Sequence, residues 1–216
     1  MIYIIRTRNN DRSAPLIKNL SREFKLVDGF IGSQIVNAGF KYQAYSGGNI
    51  LNPRQMGKGE MGAMISHTMA ITMAKADKAP YALIFEDDAR ISADFEKKFE
   101  NLNLLVDADL IMLGGILLNE NANVGPFVEY GGNMRVVQHS QVFGLHAYIV
   151  FERSYNKILD LLYTQANCCD DLILNNKNIK VLMCDPWLAY QAEGESVIWP
   201  ERGVNLNLHS KFKYKE

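Results

Sequence analysis

The sequence predicts an α/β fold: a single domain with a mostly parallel central sheet flanked by helices. Three observations lead there. Short apolar runs rich in Ile, Leu and Val recur along the chain, as strands buried on both faces do. Segments with helical apolar spacing alternate with those runs, and strands joined through helices make parallel sheets. No internal repeat, low-complexity tract or linker divides the 216 residues, of which 48% are hydrophobic and 22% charged. A chain of this size buries roughly 70% of its unfolded surface, enough for a core and a cleft.

The first strand is "IYIIR", Ile2 to Arg6, which gives way to the polar loop "TRNNDR". A helix is expected from Ser13 through Phe24. The Gly- and Asn-rich "VDGFIGSQIVNAGF" and "AYSGGNILNPRQM" then read as loop. From Gly59 to Ala76, Met61, Met64, Ile65, Met69 and Thr72 recur at helical spacing. The other side of that helix collects Gly59, Ala63, Ser66 and Ala70, small enough for another backbone or a ligand to come close, with Glu60 and His67 beside them. After Pro80, "YALIF" reads as a buried strand. Further strands are expected at "DLIMLGG" (Asp109 to Gly115), "HAYIVF" (His146 to Phe151) and "KVLMC" (Lys180 to Cys184), with the helix "SYNKILDLLYTQ" between the last two. Residues 119 to 135 are polar and Gly-rich, a candidate excursion over a cleft. The domain is expected to span 1–216, with about 199–216 as a flexible or lid-like tail.

A formal net charge of -1 supplies no pull toward nucleic acid, so no nucleic-acid partner is expected. The three cysteines, Cys168, Cys169 and Cys184, have neither zinc-ligand nor redox-motif spacing, which suits a reducing compartment. The N-terminal apolar run is too short for a signal or a membrane span. These readings point to a cytoplasmic protein. The tail "HSKFKYKE" interleaves Lys211, Lys213 and Lys215 with Phe212 and Tyr214, the make-up of either a frayed end or a peripheral contact with the cytoplasmic face of an anionic membrane.

Chemistry concentrates where "YALIF" ends, in Glu86, Asp87 and Asp88. In open parallel sheets, ligands bind beyond the C-terminal ends of strands. Adjacent carboxylates repel one another unless a cation relieves them, and Mg²⁺ or Mn²⁺ prefers such oxygens. Glu86 and Asp88 would project to one side if the extended geometry continued. The plainer alternative is a solvated strand end. Glu60 lies in a first helical turn, where the helix dipole alone explains a carboxylate; Asp170 and Asp171 offer either an N-cap or a general base. Arg6, Arg8 and Arg12 follow the first strand, where a cation could meet a phosphate.

The ordered set "KGEMGAMISH", "ALIFEDDARI", "GLHAYIVFERSYNKIL", "CCDDLIL" and "VLMCDPWLAYQAEGESVI" resembles glycosyltransferase family 25, the bacterial lipooligosaccharide galactosyltransferases and their relatives, over a stretch from the first strand to about Ile198. The resemblance implies a GT-A-like fold, a UDP-sugar donor (usually UDP-galactose), a divalent cation (Mn²⁺ or Mg²⁺), inversion at the anomeric carbon, and a lipooligosaccharide, lipopolysaccharide or other glycan acceptor. It places the family's acidic motif on Glu86, Asp87 and Asp88, with Asp88 the expected metal ligand and Glu86 or Asp87 helping it or holding the ribose; His209 is a further candidate for the metal shell, from the C-terminal segment. Arg12, Arg8, His67 and Asp87 fall to nucleotide-sugar binding, and Asp170 or Asp171, then Glu60, to catalysis. Two positions depart from the family pattern: Ile5 and Arg6 stand where Asn-Leu is usual, and Ala63 where Cys is usual. Two rival classes are a metal-dependent phosphatase, which "EDDARI" serves poorly for want of a suitably spaced Thr, and a non-catalytic sugar-nucleotide or glycan-binding module derived from a transferase.

Overall fold

Ile2–Arg6 forms the first strand, β1, with four consecutive buried residues, in a computed structural model that describes residues 1–8, 11–32, 41–42, 45–46, 49–50, 54–117, 125–128, 134–137, 142–165 and 167–192. The elements that follow are α1 (Ala14–Asn19), β2 (Phe24–Asp28), α2 (Lys58–Ala76), β3 (Tyr81–Glu86), α3 (Phe95–Glu100), β4 (Leu110–Met112), β5 (Met134–Val136), β6 (Ala147–Phe151), α4 (Tyr155–Thr164), α5 (Cys169–Leu174) and β7 (Val181–Cys184). The seven strands make one sheet in the order β5-β7-β4-β6-β3-β1-β2.

β1 runs parallel to β2 and β3, and β4 parallel to β7. β6 enters antiparallel between β3 and β4, and β5 lies antiparallel on β7. β1, β2, β3, β4 and β7 therefore share one direction, so the sheet is mixed but mostly parallel. Among the described residues no helix lies between β4 and β6, and without a crossover nothing forces that pair to be parallel.

Alternate residues of each central strand serve opposite layers. Tyr3, Ile5, Ile84 and Tyr148 join the core under α2, α4 and α5. Ile2, Ile4, Leu83 and Phe85 join the one that includes Leu16 of α1 and Phe95 and Phe99 of α3.

Two expectations need correction. The helix expected from Ser13 to Phe24 stops at Asn19, and Phe24–Asp28 is instead a strand. Leu20 is already extended, and the residues beyond gain a full ladder with β1, which local propensity does not register. Met134–Val136, within and just beyond the stretch read as an excursion, is an edge strand held by Leu182, Met183 and Cys184. In α2 the small-residue side does what its composition suggested and faces inward, with Gly62, Ser66, Ala70 and Ala74 buried; of the Met-containing stripe, Met61 is buried and Met69 is 38% exposed. Small residues win because the backbone at 30–32 passes close by; a Cβ on Gly62 would lie 2.6 Å from the Phe30 carbonyl oxygen. Ser66 Oγ accepts from Phe30 N at 2.8 Å and donates to Gly62 O at 2.7 Å.

A similarly close approach occurs at Gly114, just past β4, where an added Cβ would lie 1.9 Å from the Ala189 carbonyl oxygen. Ala189 is held there by its own N–H, which donates to Leu113 O at 3.1 Å. Gly114→Ala is expected to cost about 2 kcal/mol or more through forced backbone movement, lowering the thermal midpoint by roughly 4–8 °C. A melt followed by circular dichroism checks this; an unchanged midpoint would mean that the two segments separate freely. Among the described residues, no helix is long and apolar enough to cross a membrane.

Candidate functional site

The site forms where β3 ends. Glu86 is the last residue of the strand, and Asp87 and Asp88 make the turn into a short strand, Ala89–Ile91, that pairs antiparallel with Ala189–Gln191. The turn splits the triplet, so Glu86 and Asp88 do not project as an extended strand would have them. Glu86 joins His67 of α2, whereas Asp87 and Asp88 meet Arg12, from the loop before α1.

Arg12 Nη2 lies 2.8 Å from Asp87 Oδ1 and 3.1 Å from Asp88 Oδ2. Asp88 also accepts from Gln191 Nε2 at 3.1 Å, and its carbonyl accepts from Ala192 N at 2.8 Å. The 188–192 segment thus clamps the turn. Burial raises the Asp88 pKa to about 6, and the charge of Glu86 adds to the rise, against the opposing pull of Arg12 and Gln191. Three polar atoms here are buried without a hydrogen-bond partner among the described residues: Asp88 Oδ1, Gln191 Oε1 and Arg12 Nε. An orphan acceptor beside an orphan donor marks a place where a ligand would complete the bonding.

The chain also solves the problem of Glu86. Burial alone would raise its pKa, yet the hydrogen bond from His67, with the charge of Arg12 adding to it, holds it below the usual carboxylate range. His67 Nε2 is 3.0 Å from Glu86 Oε1, and Nδ1 is 3.0 Å from the hydroxyl of Tyr148 on β6. His67 was expected to contact the nucleotide sugar. It is 1% exposed, and its two ring nitrogens face Glu86 and Tyr148.

Asp170 sits in the first turn of α5, where its Oδ1 accepts from Asp171 N at 3.0 Å and Oδ2 from Gly144 N at 3.3 Å. Burial raises its pKa; the two backbone donors oppose the rise and the charge of Glu86 adds to it, so Asp170 and Glu86 share one electrostatic neighbourhood. Asp171 instead accepts from Asn175 Nδ2 at 3.2 Å, a bond within its own helix. Glu60 is buried; its Oε2 accepts from Gly57 N at 2.7 Å as a helix cap, and its Oε1 from the Cys168 thiol at 2.8 Å. Arg8 turns away to Asp28 at 2.6 Å with a side chain 74% exposed, and is not brought to the carboxylates. His209 lies outside the described residues.

Sequence reasoning singled out neither Tyr148 nor Gln191. Tyr148 stood inside the quoted "GLHAYIVF", and a tyrosine in a fully buried run must find a partner for its hydroxyl; Gln191 stood inside the quoted "VLMCDPWLAYQAEGESVI", where no spacing sets it apart. Among the described residues no three His, Cys, Asp or Glu side chains converge in a way that could hold a metal. A Mg²⁺-like ion needs less, since it is often held by one or two carboxylates with phosphates and waters. Asp88, with its unpartnered Oδ1, fits that requirement.

Two solved structures are similar in outline. "A197 from STIV" shares 12% identity, with 89% of this chain and 85% of that one covered at a TM-score of 0.47. A mannose-1-phosphate geranyltransferase from Thermus thermophilus shares 10%, with 56% of this chain and 49% of that one covered at a TM-score of 0.37. Both are too distant to carry an argument, and the chain covers about half the length of the second. No curated protein matches the sequence. The model of glycosyltransferase family 25 (LPS biosynthesis protein) matches residues 2–174. That span takes in Arg12, Glu60, His67, the acidic triplet and both aspartates of α5, and stops short of the Ile198 to which the resemblance was drawn. With most of its length matched in this way, the chain belongs to glycosyltransferase family 25, a family of LPS biosynthesis proteins.

Proposed function

We propose that the protein transfers galactose from UDP-galactose, with inversion, to a lipooligosaccharide or lipopolysaccharide acceptor, on a GT-A-like scaffold and with Mn²⁺ or Mg²⁺ bound. The observation that carries the reading is the Asp88 turn: a carboxylate held at the end of a rigid buried strand, with one oxygen unpartnered and an arginine alongside. Asp88 would hold the cation, with Asp87 turned to Arg12. When bound, the cation supplies Lewis-acid stabilisation for negative charge on the leaving diphosphate. Arg12 adds a fixed positive charge at the same place, and its Nε–H is a donor suited to a phosphate oxygen.

Asp170 is the proposed base. Its raised pKa brings it nearer to working pH, where proton acceptance is most effective, and its two backbone donors fix its direction. The acceptor oxygen forms the new bond to the anomeric carbon as the bond to the diphosphate oxygen breaks. The proton of the acceptor hydroxyl passes to Asp170 and UDP departs. Asp171 and Glu60, both engaged in bonds that stabilise helices, are given structural parts. Contact with the cytoplasmic face of the membrane completes the proposal and rests on sequence alone, on the interleaved basic and aromatic residues Lys211 to Lys215.

The test is a panel of UDP-galactose, UDP-glucose and UDP-N-acetylglucosamine, each assayed for slow hydrolysis with Mn²⁺ and with EDTA. UDP-galactose is expected to be consumed fastest, and only with the metal. Binding of the donors without turnover of any of them would favour a carbohydrate-binding module instead.

A further inference from the structure

Glu86 lies electrostatically within reach of both acids assigned above, since its charge raises the pKa of Asp88 and of Asp170, yet the proposed mechanism leaves it no task. A third carboxylate in one neighbourhood costs stability unless something holds it. What holds it is a chain of hydrogen bonds across three elements. Tyr148 of β6 pairs in register with Ile84 of β3, two residues before Glu86, so Tyr148, Ile84 and Glu86 share the sheet face that α2 covers. His67 descends from α2 between them, 3.0 Å from each.

The sense of the chain follows from its ends. An ionised carboxylate only accepts, so Nε2–H must donate to Glu86 Oε1. Burial raises the Tyr148 pKa well above its ordinary value, so the phenol keeps its proton and can donate to Nδ1. One tautomer of His67 satisfies both contacts. Tyr148 and His67 are buried, whereas the Glu86 side chain is 24% exposed, and among the described residues its Oε2 has no hydrogen-bond partner. The relay therefore occupies one oxygen and leaves the other available to a further partner.

We propose that Tyr148 and His67 are positioning residues for the transfer reaction, forming a one-directional hydrogen-bond relay that aims Glu86 Oε2 at a hydroxyl of the nucleotide-sugar donor. The inference rests on the donor class proposed above. A hydroxyl suits a carboxylate that has one oxygen already satisfied. The hydroxyl belongs either to the ribose or to the transferred sugar.

Tyr148→Phe deletes one oxygen and keeps the ring, so the fold is retained. It is expected to lower kcat/KM for UDP-galactose hydrolysis by about 10-fold, the low end of what supporting partners of site residues contribute, chiefly through KM. In a Glu86→Gln background the same change should have no further effect, because the two act through one contact. Calorimetry with UDP alone separates the sources: weakened UDP binding assigns the ribose, unchanged UDP binding the sugar. Nitrogen-15 spectra of the histidines report the relay itself, with a single Nε2–H tautomer of His67 expected in the wild type and a mixture in Tyr148→Phe. Unchanged kcat/KM in Tyr148→Phe, additive effects with Glu86→Gln, or an unaltered His67 tautomer would each overturn the proposal. If the wild type turns over none of the UDP-sugars, the functional reading and the donor target of Glu86 fail together, while the tautomer still decides whether the relay exists.

Discussion

Asp88→Asn is expected to abolish most transfer and, at the same time, to make the metal-free protein more stable. The stability change follows from linkage. The folded-state pKa of Asp88 is about 6 against an ordinary 3.8, because burial and the neighbouring Glu86 penalise the charged form. Between those values the folded state binds more protons than the unfolded, so this group's contribution to stability falls as pH rises from about 4 and is fully unfavourable above about 6. The penalty near neutral pH is on the order of 2–3 kcal/mol. Asparagine removes it, and for a chain of this length the thermal midpoint should rise by roughly 4–12 °C at pH 7.5. At pH 4 the advantage should vanish. Melts in EDTA at pH 4, 5.5 and 7.5 measure this. A wild type at least as stable as the variant at pH 7.5 would show that Arg12 already neutralises the turn. For activity, loss of the carboxylate should lower kcat/KM by at least about 100-fold, comparable to removing one preorganised charge-stabilising group, and calorimetry should detect no Mn²⁺ binding.

Asp170→Asn should separate chemistry from binding. Removing a general base typically costs about 10²–10⁴ in turnover, while UDP affinity should stay within about twofold, since none of the contacts proposed for the nucleotide involve Asp170. The base works only when deprotonated. Wild-type kcat should therefore rise with pH through the raised pKa of Asp170, and the variant should lack that limb. Asp171→Asn, which alters a bond to Asn175 within α5, is expected to keep kcat near the wild-type value. The reverse pattern, with Asp171→Asn inactive and Asp170→Asn unaffected, would reassign the base to its neighbour.

Both variants lie on positions that the sequence marked, and the reason is physical. "YALIF" is a run long enough for a buried strand, and a rigid strand that ends in three acids advertises its end whatever surrounds it. The same holds for "CCDDLIL", where acids open a short helix. Local pattern also sufficed for β1, α4 and most of α2, whose boundaries depend mainly on the period of the chain itself.

Only the tertiary structure divided the acids by role. Glu86 and Asp88 are two residues apart, and a turn whose geometry depends on the Ala189–Gln191 partner sends them to different layers. Arg12 and Arg8 are alike in sequence, yet one meets the acidic turn and the other is drawn to Asp28 on an edge strand that local propensity did not foresee. Tyr148 and Gln191 lie more than sixty and one hundred residues from the side chains they serve. Hydrogen bonds over such separations leave no periodic trace in a sequence, because only the register of strands and the packing of α2 on the sheet bring the partners together. The sequence determined that this chain carries clustered acids at the end of a buried strand. The fold decided which of them meets Arg12 and Gln191 and which is held by a buried histidine.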